Sequence, residues 1–228
     1  MRAILIFLML SLLSSQLLAL EESWGEGLIQ CNSDSKFSID VFDSPCGFPI
    51  GSLSFEVERA MRQPTGFVWR EERGISMTLP EEVFLETGYE ITSLIVHEER
   101  DSFVKILRTD MDQEFWISIE ELSDSGFLYQ PWIEFMAKSG RSFFTVNYGM
   151  NCREKPNAAG ERLLTVKGDQ FEIEPTGEVT GYWAEVIVRE FNSAYCEEPH
   201  ELIETYHGWM KILDDAGFPN VWFYTRGC

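Results

Sequence analysis

The histidines of this 228-residue chain are the first side chains whose spacing could support chemistry. His200 and His207 are seven residues apart, so on a helix they would share one face. Glu201 and Glu204 lie in the same segment and could complete a metal site. Zinc ligands are usually spaced more tightly, and solvent-facing histidines in an acidic segment explain the pattern more simply. The sequence therefore predicts no metal site.

A catalytic cysteine is the second chemical possibility, because Cys196 lies four residues before His200. No nucleophile signature surrounds Cys196, and the chain has no GxSxG elbow, no HExxH and no glycine-rich loop ending in GK[ST]. The sequence therefore predicts no catalytic residue, no cofactor and no enzyme. A cysteine hydrolase that uses Cys196 with His200 or His207 is the less favoured alternative.

Residues 1 to 19 have the pattern of a secretory signal peptide. One basic residue, Arg2, precedes the apolar run from Ala3 to Leu10, and Ala19 stands just before an acidic start at Glu21. The run is too short for a membrane anchor, and no later segment approaches the ~20 apolar residues that a span requires. We expect a mature protein that is secreted or periplasmic and has no membrane span.

The charge of the chain limits its partners. The formal net charge is -20 at pH 7. Nucleic acids and anionic membrane surfaces need lysine and arginine to displace their counterions, so a nucleic-acid partner is excluded. The acidity favours solubility, and it would also attract cations or a basic protein partner.

A repeat at a constant offset of 106 residues decides the expected architecture. The segment Phe103 to Ile117 reads FVKILRTDMDQEFWI, and the segment Trp209 to Phe223 reads WMKILDDAGFPNVWF. The identical pairs are Lys105 and Lys211, Ile106 and Ile212, Leu107 and Leu213, and Trp116 and Trp222. In each copy an aromatic-x-Lys-aliphatic strand, a polar turn and a Trp-bearing strand predict a β-hairpin.

Each copy also has a matching upstream element. The pattern is a strand, then a turn with Pro and Gly, then a second strand that begins with aliphatic residues. It occurs at Val41 to Leu53 and again at Met150 to Leu164. Residues 123 to 142 are expected to link the copies. An insertion in the second copy predicts a helix from Glu197 to Tyr206, because Pro199 suits a first helical turn and acidic residues cluster there.

The second copy resembles the bacterial SH3-like (SH3b) domains of exported proteins. The resemblance rests on NCREKPNAAGERLLTVKGDQFEI, Asn151 to Ile173, and on GWMKILDDAGFPNVWFY, Gly208 to Tyr224. It implies an all-β chain of two tandem small SH3-like β-barrels with loop or helical insertions, at residues 28 to 122 and 143 to 228. It also implies a binding role, commonly toward cell-wall peptide or glycan. The usual Gly-Trp of the second hairpin strand is absent, since Phe115 and Val221 precede the tryptophans.

Disulfides are expected among the five cysteines, because an exported protein meets an oxidising environment. Five is an odd number, so at least one cysteine stays free or pairs between chains. Cys31 and Cys46 lie close together in the first copy, so we predict that they pair. Pairing of Cys196 with Cys228 would tie down the chain end. The SH3-like resemblance implies neighbouring first and last strands, and this makes Cys152 with Cys228 the rival pair.

Aromatic residues of the second copy are the best candidates for ligand binding, because rigid rings with a polar edge dominate binding surfaces. Strand alternation places Trp209 and Lys211 opposite the aliphatic Met210 and Ile212, and it places Trp222 and Tyr224 opposite Val221 and Phe223. The candidate ligand-binding residues are Trp183, Trp209, Lys211, Trp222 and Tyr224. The predicted function is an exported binding or scaffold protein for a cell-wall component or a protein partner. An inhibitor or immunity-type protein that binds a basic partner is the alternative.

Overall fold

The computed structural model describes residues 25–31, 38–58, 61–69, 76–77, 83–88, 91–108, 114–146 and 149–225. The predicted signal peptide and Cys228 lie outside these residues, as does the side chain of Cys31. The chain divides into two compact units. Unit 1 comprises Met1–Glu86 and Ile91–Tyr129, and unit 2 comprises Thr87–Glu90 and Gln130–Cys228.

The first part of the chain is built from antiparallel strands. In chain order they are β1 (Gly27–Cys31), β2 (Ser38–Phe42), β3 (Pro49–Glu58), β4 (Met61–Trp69), β5 (Ser76–Met77), β6 (Phe84–Gly88), β7 (Ile91–Val96), β8 (Glu98–Arg100), β9 (Phe103–Arg108), β10 (Glu114–Ser118) and β11 (Phe127–Pro131). One sheet has the order β5-β4-β3-β2-β10-β9-β8, and a second has the order β11-β1-β7-β6. Helix α1 (Ile119–Asp124) follows β10 and is capped by Ser118, whose Oγ accepts a hydrogen bond from the backbone N–H of Glu121.

Alternation along these strands produces one hydrophobic core in unit 1. On β9, Val104 and Ile106 are buried, and on β2 Ile39 and Val41 are buried. This is the face that the period of two predicts. The cluster also contains Ile29, Leu53, Val83, Leu94, Val96, Phe115, Ile117, Leu122 and Phe127. On β9 and β2 the core residues therefore follow the alternation of the strand, whereas consecutive residues of β10, Phe115 to Ile117, are all buried.

Unit 2 combines a helix with a five-stranded antiparallel sheet. Its elements are α2 (Trp132–Lys138), β12 (Phe144–Thr145), β13 (Met150–Arg153), β14 (Arg162–Val166), β15 (Phe171–Thr180), β16 (Trp183–Phe191), β17 (Leu202–Lys211) and β18 (Val221–Trp222). The sheet has the order β14-β13-β17-β16-β15, and β12 pairs separately with β18. Helix α2 packs against β15. Buried side chains of the sheet include Cys152, Val166, Phe171, Ile173, Ala184, Val186, Val188 and Met210.

The two predicted closing hairpins differ in extent. In unit 1, β9 and β10 pair from Phe103 with Ser118 to Arg108 with Glu114, so this hairpin is confirmed. In unit 2 the hairpin pairing is limited to residues next to the turn, where Leu213 and Pro219 form an isolated antiparallel bridge. Strand β18 then pairs with β12 instead of β17.

The upstream elements form hairpins in both units. Strand β2 pairs with β3, and β13 pairs with β14, so the predicted strand-turn-strand order is confirmed. Each opening strand also pairs with part of the closing element: β2 contacts β10 through Phe42 and Trp116, and β13 contacts β17 through Cys152 and Met210. The two copies therefore share a pairing between the upstream and closing elements as well as a local pattern. The partner strand differs, because it is the second strand of the closing hairpin in unit 1 (β10) and the first strand of the closing element in unit 2 (β17).

Two finer expectations fail. The helix predicted from Glu197 to Tyr206 is wrong, because β17 begins at Leu202 and pairs along β16 as far as Phe191. Long-range strand pairing has overridden the local helix signals. In the described residues neither unit's sheet closes into a barrel, since β5 and β8, and β14 and β15, remain sheet edges. The all-β class is confirmed, and no helix of the described residues is long and apolar enough to cross a membrane.

Candidate functional site

Three of the predicted ligand-binding residues lie together on the outer face of the sheet in unit 2. Trp183 on β16 is directly opposite Lys211 on β17, and Glu185 is directly opposite Trp209. The intervening residues Ala184 and Met210 are fully buried on the other side of the sheet. Trp183, Glu185, Trp209 and Lys211 are each partly exposed. We call these four residues the tryptophan face.

Polar contacts hold the charged members of the tryptophan face. Thr176 Oγ1 donates a hydrogen bond of 2.7 Å to Glu185 Oε2, and Lys211 Nζ forms an ion pair with Asp215. Arg153 lies on β13 and pairs with Trp209 of β17. Its Nη1 donates a hydrogen bond of 2.7 Å to the Gly160 carbonyl. The face thus presents two indole rings beside one carboxylate and one ammonium group, an arrangement suited to stacking on a polar ligand.

The structure does not bring Trp222 to the tryptophan face. Trp222 lies on β18, and its ring makes an edge contact with Trp132 of α2 at 5.6 Å between centroids. The next residue, Phe223, is buried and contacts the rings of Phe135 and Phe143 at 5.9 and 5.7 Å. Trp222 is partly exposed and Phe223 is buried, as alternation predicts. However, their rings stack 4.7 Å apart and both contact α2, so the two side chains do not lie on opposite faces.

Tyr224 belongs to a separate group of rings. It stacks on Tyr195 with 5.2 Å between centroids and an interplanar angle of 6°, and Phe144 lies 4.8 Å from Tyr195 and 5.0 Å from Tyr224. The Tyr224 hydroxyl donates to Asp169 Oδ2 at 3.0 Å. Burial and this hydrogen bond raise the pKa of Tyr224 above its ordinary value. We call Phe144, Tyr195 and Tyr224 the tyrosine cluster.

His200 lies next to the tyrosine cluster but is held by structural contacts. Its ring stacks on Phe191 at 4.0 Å, and its Nδ1 lies 3.3 Å from Ser193 Oγ. The Ser193 hydroxyl also donates to the Pro199 carbonyl at 2.7 Å, a shorter contact than the one to His200. Glu172 Oε1 lies 4.0 Å from His200 Nε2. These contacts hold the loop between β16 and β17.

The cysteines depart from the predicted pairing. Cys46 is a free and exposed thiol, so the predicted bond between Cys31 and Cys46 is wrong. Cys152 is also free, which excludes the rival bond to Cys228, and burial raises the pKa of its thiol to about 11. Cys46 lies in a turn, whereas Cys152 lies in a strand.

Cys196 is disulfide-bonded, so its sulfur is not available as the nucleophile of a hydrolase. Its predicted partner, Cys228, lies outside the described residues, and that pairing stays a prediction.

His207 is exposed on β17, whereas His200 precedes that strand, so the two histidines do not share a helix face. The described residues contain no group of three or more metal-ligating side chains.

Sequence reasoning missed most of the tyrosine cluster. Tyr195 lies in the insertion that was expected to become helical, and Phe144 and Asp169 are distant from it in sequence. The available signal was the run of aromatic residues at Phe191, Tyr195 and Tyr206 around Cys196. A cysteine and several rings in a short polar insertion indicate a fixed loop packed on the sheet.

Comparisons with models of protein families, with characterised proteins and with solved structures find no match to this chain. The geometry of the two surfaces in unit 2 is therefore the basis for inferring function.

Proposed function

We propose that this chain is an exported, non-enzymatic binding protein whose tryptophan face takes a cell-wall fragment, a glycan that carries peptide stems. The observation that carries the proposal is the placement of Trp183 and Trp209 on the outer side of the sheet, opposite the fully buried Ala184 and Met210. Indole rings stack on sugar rings and peptide planes, and the neighbouring Glu185 and Lys211 supply hydrogen bonds and charge to polar groups.

An SH3-like architecture for the two units is part of the proposal. It is supported in unit 2 by the pairing of the opening strand β13 with β17, the first strand of the closing element, although the last strand, β18, pairs with β12. In unit 1 the upstream strand β2 pairs with β10, which is the second strand of the closing hairpin. The open edges at β14 and β15 are the departure from a small barrel.

Replacing Trp209 or Trp183 with alanine is expected to weaken binding of soluble muropeptides by about tenfold, because each ring would be a central contact of the ligand. Isothermal titration calorimetry with purified muropeptides measures this, and the thermal unfolding midpoint reports whether each variant is folded. Phe48→Ala is the matched control, since Phe48 is an aromatic residue that is 82% exposed in unit 1.

A folded double variant, Trp183→Ala with Trp209→Ala, that binds muropeptides with unchanged affinity would show that the tryptophan face is not the binding surface. Cleavage of the same muropeptides by the wild-type protein would contradict the non-enzymatic role.

Export is tested separately. The proposal expects the secreted or periplasmic product to begin at Leu20, because cleavage is expected after Ala19. N-terminal sequencing of the protein recovered from the producing cell measures this directly. An intact N-terminus at Met1 in the recovered protein would contradict cleavage.

A further inference from the structure

The tyrosine cluster leaves one aromatic face open. Tyr195 covers one face of Tyr224, and Phe144 is almost equidistant from the two ring centres, so it lies beside the stacked pair. Tyr224 remains 47% exposed although it contacts both rings. The outer face of Tyr224 is therefore accessible to a ligand.

A carboxylate lies at the hydroxyl edge of the Tyr224 ring. Asp169 accepts the Tyr224 hydroxyl, and its backbone carbonyl accepts a hydrogen bond from the Tyr195 N–H at 3.0 Å, which fixes the loop beside it. No lysine or arginine of the described residues forms an ion pair with Asp169 or Glu172. A phenol that donates to a carboxylate has a more electron-rich ring, so Asp169 strengthens the attraction of the ring for a cation.

We propose that the tyrosine cluster binds an arginine or lysine side chain from a basic segment of a protein partner. The cation would lie over the outer face of Tyr224, with the Asp169 carboxylate at its edge. The formal charge of -20 adds long-range attraction for such a segment. These residues differ from those of the tryptophan face, so the inference goes beyond the muropeptide-binding function and does not depend on it.

The neighbouring chemistry favours a cation over a neutral ligand. Exposed Glu197 and Glu198 follow Tyr195 in the same loop, and the backbone N–H of Glu197 is bonded to the Ala194 carbonyl, which holds the start of this acidic stretch. A neutral sugar could also stack on Tyr224, but it carries no charge, so its binding would depend little on salt. A strong dependence of binding on salt therefore distinguishes the two ligand classes.

The test uses a fluorescent peptide of alternating glycine and arginine, and the same peptide with neutral citrulline in place of arginine. Fluorescence anisotropy with the full mature protein is expected to show binding of the arginine peptide that weakens as salt rises. Tyr224→Ala should weaken it about three- to tenfold, the range of a partly desolvated cation-π contact. Asp169→Asn should weaken it by a similar factor, with little change of shape.

Two further variants protect the result from a folding artefact and from a general charge effect. Tyr224→Phe keeps the ring and its stacking on Tyr195, so it should lose less affinity than Tyr224→Ala. Glu120→Gln removes one exposed charge from α1 of unit 1 and should leave affinity unchanged. Equal binding of the citrulline peptide would overturn the proposal. Equal losses in Asp169→Asn and Glu120→Gln, with none in Tyr224→Ala, would show a diffuse field and would overturn it too.

Discussion

Replacing Trp116 with alanine is expected to reduce the free energy of unfolding by about 3 to 5 kcal/mol, the cost of removing a large buried aromatic side chain. Trp116 is fully buried on β10. Arg100 and Lys105 lie over its ring at 4.7 and 5.2 Å, so the deletion also removes two cation-π contacts. Urea titration followed by tryptophan fluorescence and circular dichroism measures the change.

The polar end of Trp116 adds to this cost. Its Nε1 donates to Glu114 Oε2 at 2.9 Å, and this hydrogen bond is the main reason that the pKa of Glu114 lies below its ordinary value. Glu114 also pairs with Lys105 at 3.2 Å, and Lys105 pairs with Glu98 at 2.5 Å. Lys105 is largely buried, so its ammonium group depends on the carboxylates of Glu98 and Glu114. Loss of the Trp116 indole would disturb the packing around this buried charge.

Two variants make the Trp116 prediction discriminating. Trp116→Phe keeps most of the packing and loses the bond to Glu114, so it should cost about 1 to 2 kcal/mol, less than the alanine change. Trp222→Ala removes the residue at the equivalent position of the repeat, but Trp222 is partly exposed and should cost less than Trp116. A larger loss in Trp222→Ala than in Trp116→Ala would contradict the burial difference between the copies.

The repeat predicted more of the fold than any single motif did. Hairpin pattern and alternation correctly gave the buried side of β9 and of the end of β17, because a period of two is imposed by the backbone itself. Identical residues at the offset of 106 do not have the same environment in the two copies. Lys105 is buried between Glu98 and Glu114, whereas Lys211 pairs with the exposed Asp215 at the rim of the tryptophan face.

The failures share one physical cause. The segment Glu197 to Tyr206 has capping signals for a helix worth about 1 kcal/mol or less each, but pairing along β16 satisfies a whole row of backbone groups. Short-range pattern also could not show that Tyr195, Phe144 and Tyr224 meet, because their contacts depend on where β12, β18 and the loop after β16 lie. Alternation along the closing strand gave Trp209 and Lys211 their side of β17, whereas sequence reasoning did not name Glu185 on β16.

Replacing Gly208 with valine is the second large effect expected, a loss of about 3 kcal/mol or more in the free energy of unfolding. A Cβ at this position on β17 would lie 2.6 Å from the Arg153 carbonyl oxygen and 2.8 Å from Cys152 Sγ. Both neighbours belong to β13, so the strands can accept a side chain only by separating. Urea titration measures the loss, and hydrogen exchange at the β13 amides should show where the structure opens.

The Gly208 prediction also tests the architecture proposed for unit 2, because the pairing of the opening strand β13 with β17, the first strand of the closing element, is what supports an SH3-like unit. His207→Val on the same strand is the matched control, since His207 is exposed and valine favours a β-strand. It should leave stability within about 0.5 kcal/mol of the wild type. If Gly208→Val were as stable as His207→Val, β13 would not lie against β17 as closely as the structure places it, and the main support for an SH3-like arrangement of unit 2 would be lost.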